Sequence, residues 1–86
     1  MYYELRLFSK SEKHPHGYCF QVAQYSSPIK GLDEFGKAVE LAEKNHKAFD
    51  AAKMPKLSRP FAQNIQLVRF HDTAGWLDEV ATWEYQ

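Results

Sequence analysis

The sequence predicts an α+β domain in which a four-stranded antiparallel sheet carries one helix on one face, in the order ββαββ. The stretch from Leu32 to Ala52 has the apolar spacing of an amphipathic helix. Two segments with the alternating pattern of strands precede it, and two more follow it. A chain of 86 residues has room for one hydrophobic core, so residues 1–86 are interpreted as a single domain.

The first two strands are predicted to form a hairpin. The first runs from Tyr2 to Phe8 and the second from Tyr18 to Tyr25, where aromatic residues are frequent. The polar connection between them, Ser9–Gly17, contains Pro15 and Gly17, which interrupt regular structure. One face is expected to meet the helix through these apolar side chains: Tyr3, Leu5, Leu7, Phe20 and Val22.

The helix is predicted from a stripe of residues spaced three and four apart: Leu32, Phe35, Val39, Ala42, His46 and Phe49. Gly31 precedes it, so Asp33 and Glu34 are expected in the first turn, where they suit the helix dipole. Asp33 and Lys37 form one of its acid–base pairs four residues apart. Gly36 costs about 1 kcal/mol relative to alanine, and Pro55 is expected to end the helix.

The chain after the helix predicts a second hairpin. Its strands are Asn64–His71 and Trp76–Tyr85, with a turn at Asp72–Gly75 and a bulge near Asp78 and Glu79. The inward side of the last strand stays open at this stage. It is either Val80 with Thr82, or Ala81 with Trp83 and Tyr85.

Composition limits the classes of partner and compartment. Eleven basic residues balance eleven acidic ones, so the chain lacks the overall positive field that favours nucleic acid or anionic lipid. A single cysteine, Cys19, indicates a reducing compartment, and we expect a cytoplasmic protein. No apolar run approaches the ~20 residues that cross a bilayer, and the first residues lack the pattern of a signal peptide. No membrane partner is expected.

One helix shields one face of such a sheet, so the other face is predicted to expose an aromatic patch. Its members would be Tyr2, Phe8, Cys19, Ala23, Tyr25, Val68 and Phe70. Several exposed rings exceed the few hundred Å² of a typical monomer's largest apolar patch. The face is therefore predicted to meet another protein or a second copy of the chain, unless the rings cover one another at the sheet edges. The predicted contact residues are Tyr2, Arg6, Phe8, Tyr25, Phe70 and Trp76.

Two basic loops support an alternative, nucleic-acid binding. They are residues 10–16 and 53–59, with Lys10, Lys13, Lys53, Lys56 and Arg59 as the residues that would contact phosphate. Rings near a basic patch also stack on unpaired bases. The simpler interpretation is that these side chains keep the loops solvated.

Catalysis is not indicated, and no cofactor is expected. His14, His16 and Cys19 are zinc-ligand types, but their spacing matches no standard site. Their simpler interpretation is a solvated loop followed by a structural cysteine, and metal binding stays open. A cysteine in a strand also lacks the cation or helix N-terminus that activates a thiolate. The sequence therefore favours a small, non-catalytic accessory or regulatory protein that binds protein, in its general character like those carried by phages and mobile elements.

Overall fold

The computed structural model describes residues 1–53, 61–71 and 77–85. Those ranges contain four strands and one helix: β1 (Tyr2–Ser9), β2 (Tyr18–Tyr25), α1 (Pro28–Ala51), β3 (Asn64–Phe70) and β4 (Leu77–Glu84). The strands form one antiparallel sheet in the order β2-β1-β3-β4. The predicted α+β class, the ββαββ order and the antiparallel pairing of the strands in each predicted hairpin are confirmed. The predicted turn at residues 72–75 and the predicted helix end at Pro55 lie outside the described residues.

Helix α1 begins four residues earlier than its apolar stripe predicts. Ser27 caps it: its hydroxyl accepts a hydrogen bond from the amide of Lys30 at 3.3 Å. Pro28 follows, at the position where a missing N–H costs nothing. Asp33 and Glu34 therefore do not lie in the first turn, and that prediction is wrong.

Gly31 lies inside the helix because the sheet approaches closely there. A Cβ at this position would lie 3.4 Å from a Leu67 methyl carbon and 3.5 Å from the Cβ of Tyr3. The glycine therefore lets the first turns of α1 rest on the two central strands. Gly36 differs, because an added Cβ there would meet nothing within 4 Å.

The core lies between α1 and the central strands. β1 pairs with β3 so that Leu5 faces Leu67, while Leu7 faces Ile65. Ile65 and Leu67 are fully buried, and Ala42 of the helix packs with them. On β4, Ala81 and Trp83 pack against this core, which decides the inward side of the last strand in favour of the second alternative.

Two bulges set which side chains face the helix. Between β1 and β2 the register shifts after Leu7, because Phe8 pairs with Cys19 and leaves Phe20 as the extra residue. Between β3 and β4 it shifts after Leu67, and Val80 is the extra residue. The second bulge lies one residue beyond the pair at which it was predicted.

Candidate functional site

On the face of the sheet opposite α1, several side chains contact one another. Tyr2 and Phe70 are cross-strand partners on β1 and β3, and their rings stack at 4.8 Å with 8° between the planes. The Arg6 guanidinium carbon lies 5.4 Å from the centre of the Phe70 ring. Arg6 also donates to Glu4 at 2.7 Å, and Gln24 donates to the other Glu4 oxygen at 3.1 Å.

These contacts reduce the exposure of the rings that the sequence predicts on that face. Tyr2, Phe8 and Phe70 are half-buried, and Val68 is buried beneath its neighbours. Burial raises the pKa of Glu4, but the hydrogen bonds from Arg6 and Gln24 outweigh it and leave that pKa below its ordinary value. The predicted patch of exposed rings is therefore wrong for this face, because the rings and the ion pair cover one another.

Tyr25 was predicted on the open face, and that placement is wrong. It packs against the core with the helix-facing residues. Its partner on β1 is the buried Tyr3. Ala23 pairs with Leu5 of β1, so it also lies on the helix side of the sheet. Val22, predicted inward, instead pairs with Arg6 of the open face and is 52% exposed. Trp76, the remaining predicted contact residue, lies outside the described residues.

The first predicted basic loop, residues 10–16, connects β1 and β2 at one end of the sheet, beside an acidic residue. Lys10, Lys13 and Lys53 are exposed; Lys56 and Arg59 lie outside the described residues. Glu84 lines the same hollow as Lys10 and His16. The positive charge of Lys10 therefore lies beside a carboxylate.

The histidines and the cysteine near the first hairpin do not converge. His14, His16 and Cys19 are exposed, and the His14 ring lies 5.2 Å from that of Tyr18. In the described part of the chain, no group of three or more His, Cys, Asp or Glu residues is placed to hold a metal ion.

A charged cluster does form beside the second hairpin. Asp78 accepts hydrogen bonds from Arg69 at 2.7 Å and from His71 at 2.9 Å. The hydrogen bond from Arg69, followed by that from His71, holds the pKa of Asp78 below its ordinary value. This cluster ties β3 to β4.

His46 is the buried polar group of the helix. Its Nε2 lies 2.7 Å from the Ala62 carbonyl oxygen, and because a carbonyl can only accept, Nε2 carries the proton. The ring stacks on Tyr85 at 3.8 Å and meets Phe61 edge-on at 4.5 Å. Tyr85 in turn donates to Asp50. These contacts hold residues 61–62, the short segment that precedes β3.

That segment closes one end of an apolar groove between α1 and β2. The groove has a volume of about 420 Å³. Its main apolar lining residues are Leu7, Phe20, Ala23, Leu41, Phe61 and Ala62. Leu41 is 60% exposed and Phe20 is 42% exposed, so the groove presents apolar surface to solvent.

The charges on the rim of the groove are paired with one another. Lys30 lies 3.1 Å from Glu34, and Lys37 lies 3.5 Å from the same carboxylate. Lys37 also reaches Asp33 at 3.2 Å, as the sequence predicts. Hydrogen bonding from Lys30 is the main cause that lowers the pKa of Glu34. The rim is therefore close to neutral.

β2 borders this groove as an outer strand of the sheet. Its eight residues, Tyr18–Tyr25, include no charged side chain. Tyr18, Phe20 and Val22 are exposed large hydrophobic residues. An outer strand presents unpaired backbone N–H and C=O groups, and proteins commonly protect such edges with charges. β2 lacks that protection.

Sequence reasoning missed this site, although one signal was present. Phe20 and Tyr25 are five residues apart, so a strand without a bulge cannot direct both toward the helix. An uncharged strand of eight residues, followed by a helix with Leu41 off its main apolar stripe, is the pattern that indicates the edge and groove.

No protein-family model, curated protein or solved structure matches this chain. Among the described residues, no helix combines the length and the apolar character needed to span a membrane.

Proposed function

We propose that this is a non-catalytic binding protein that accepts an extended segment of a polypeptide on the edge of β2. The observation that carries the proposal is the uncharged, exposed edge of β2 beside an apolar groove. In this mode of recognition, backbone hydrogen bonds to the edge supply affinity, and alternate side chains of the added strand enter pockets.

The groove matches the second requirement. An added strand lies about 4.8 Å outside β2, and every second side chain points to the helix side of the sheet. There it meets Phe20, Ala23 and Leu41. Apolar side chains at alternate positions are therefore the expected chemistry of the bound segment.

The polar residues in the groove support a role in binding rather than catalysis. Its described lining includes Gln21, Glu34, Lys37 and Asn45, but no His, Cys or Ser. Glu34 and Lys37 are occupied with each other. The groove therefore offers no described pair of nucleophile and base.

The proposed setting is the cytoplasm, where such a protein acts as an accessory or regulator. An exposed free thiol at Cys19 is compatible with a reducing compartment. Nucleic-acid binding through Lys10, Lys13 and Lys53 stays a prediction, and the nearby Glu84 weakens it because it repels phosphate.

Selection from a displayed library of eight-residue peptides, with apolar residues at alternate positions, tests this function. Val22→Lys places a charge on the β2 edge, and Thr82→Lys is its matched control. Both positions are exposed and lie on the same face of outer strands. Circular dichroism of both variants checks that each is folded before binding is compared.

We expect enriched peptides to bind the parent protein and Thr82→Lys equally, and to bind Val22→Lys at least tenfold more weakly. Enrichment of no peptide, or equal binding to all three proteins, would contradict the proposal.

A further inference from the structure

The two outer strands of the sheet differ in how they are protected. β4 carries Asp78, Glu79 and Glu84, together with a bulge at Val80. Carboxylates and bulges on an edge discourage pairing with another chain. β2 also has a bulge, but it has no charged residue. Pairing between chains is therefore favoured at β2 and disfavoured at β4.

We propose that the polypeptide bound at β2 is a second copy of this chain, whose own β2 pairs antiparallel across a two-fold axis. The proposal rests on the proposed function and names the occupant of its binding edge. The product is a continuous sheet in the order β4-β3-β1-β2-β2-β1-β3-β4.

Charge is the first argument for a second copy. In a two-fold interface the same surface meets itself, so any charge near the axis meets its own sign. β2 has none to oppose, whereas two β4 strands would bring carboxylates together. Pairing of β2 with β4 would leave free edges at both ends and would not close.

The side chains that meet are also compatible with self-pairing. Because α1 packs against both central strands, the two helices lie about 19 Å apart, four strand spacings. Packed helices lie about 8–10 Å apart, so they do not touch. The two β2 strands lie beneath the space between the helices, and Phe20 and Tyr25 line the groove of each copy there.

The available area indicates a weak dimer. Tyr18, Phe20, Val22 and Leu41 are between 38% and 60% exposed. Large rings bury about 150–250 Å² when fully covered, so Tyr18 and Phe20 at these exposures supply on the order of 120–200 Å² per copy, to which Val22 and Leu41 add. Both copies together fall below the standard interface of about 1,600 Å². Interfaces of this size are typical of weak, transient association, so we expect a dimer that dissociates on dilution.

Sedimentation equilibrium over a wide concentration range tests the dimer. We expect the parent protein to pass from monomer to dimer mass. Val22→Lys should raise the dissociation constant at least tenfold, because two lysines then meet near the axis. Thr82→Lys should change the dissociation constant by no more than about twofold, which is within the usual effect of a surface substitution.

A monomeric parent at every concentration overturns the proposal. Equal weakening by both lysines also overturns it, because a dimer through the open face would respond to both. If the parent is monomeric but peptides bind in a Val22-dependent way, the second copy is excluded while the proposed function stands. If neither occurs, both proposals fail.

A nitroxide on Cys19 locates the interface independently. Cys19 is the single cysteine and is exposed. When two β2 strands of eight residues pair, their labelled backbones lie within about 27 Å. Pairing through β4 would separate the two β2 strands by about 34 Å, seven strand spacings. A pulsed electron resonance distance in the shorter range supports the proposal, and one in the longer range overturns it.

Discussion

Replacing His46 with leucine should destabilise the protein strongly, although the two side chains have similar size. His46 is 1% exposed, and its Nε2 donates to the Ala62 carbonyl at 2.7 Å. Ala62 is also buried, so leucine leaves a buried acceptor without this donor. The rings of Tyr85 and Phe61 each lose their contact with the imidazole as well.

These contacts give the expected magnitude. A buried acceptor that loses its partner costs about 1–3 kcal/mol. Each aromatic contact adds about 0.5–1.5 kcal/mol beyond burial, part of which leucine recovers. We therefore expect His46→Leu to lower the free energy of unfolding by about 2–4 kcal/mol, a large share of the ~5–15 kcal/mol of a typical domain. For a chain of 86 residues, the melting temperature should fall by about 10–25 °C.

Urea unfolding followed by circular dichroism measures this change. His46→Gln is the matched variant, because its amide can still donate to the Ala62 carbonyl, and it should lose about half as much free energy. The reasoning is refuted if His46→Leu unfolds within about 0.5 kcal/mol of the parent, the range of an ordinary surface substitution.

Three further substitutions test other parts of the structure. Gly36→Ala should raise the free energy of unfolding by about 1 kcal/mol, because an added Cβ meets nothing within 4 Å. An unchanged or lower melting temperature would contradict this. The hydrogen bond from Arg69 is the main cause that holds the pKa of Asp78 in the folded protein below its ordinary value of 3.8. The ionised Asp78 therefore stabilises the folded protein above pH 3.8, and this stabilisation is lost as the pH falls through the lower pKa of the folded state. Asp78→Asn should therefore flatten the loss of stability below about pH 4 in an acid titration, and an unchanged titration would argue against the cluster. Phe70→Ala should destabilise the monomer by about 1 kcal/mol or more, since it removes the ring stacked on Tyr2; an unchanged urea midpoint would show that the stack contributes nothing.

The residues that set the fold class were visible in the sequence because they follow simple periods. The alternation of Tyr3, Leu5 and Leu7, and the stripe through Phe35, Val39 and Ala42, each describe one buried face. Those side chains occupy the core in the structure. The sequence predicts too late a start for the helix because Gly31 is placed just outside it. In the structure Gly31 lies inside the helix and allows its close approach to Leu67.

The candidate site depended on features that periodicity does not contain. The bulge at Phe20 arises from pairing with β1, and it reverses the faces of the residues from Gln21 to Tyr25. The stacking of Tyr2 on Phe70 requires β1 and β3 to be neighbours, whereas two hairpins can join in several strand orders. The exposed edge of β2 follows from that same order.

Hydrogen exchange of the backbone amides of β2, compared between the parent and Val22→Lys, tests the central claim most directly. At millimolar concentration, nuclear magnetic resonance resolves amides that point away from β1, in the parent and in Val22→Lys. Because the dimer is weak and some monomer is always present, we expect these outward amides to exchange several-fold more slowly in the parent than in Val22→Lys, while the outward amides of β4 exchange at the same rate in both. Equal exchange rates along the outer side of β2 in the parent and in Val22→Lys would show that this edge pairs with no second chain.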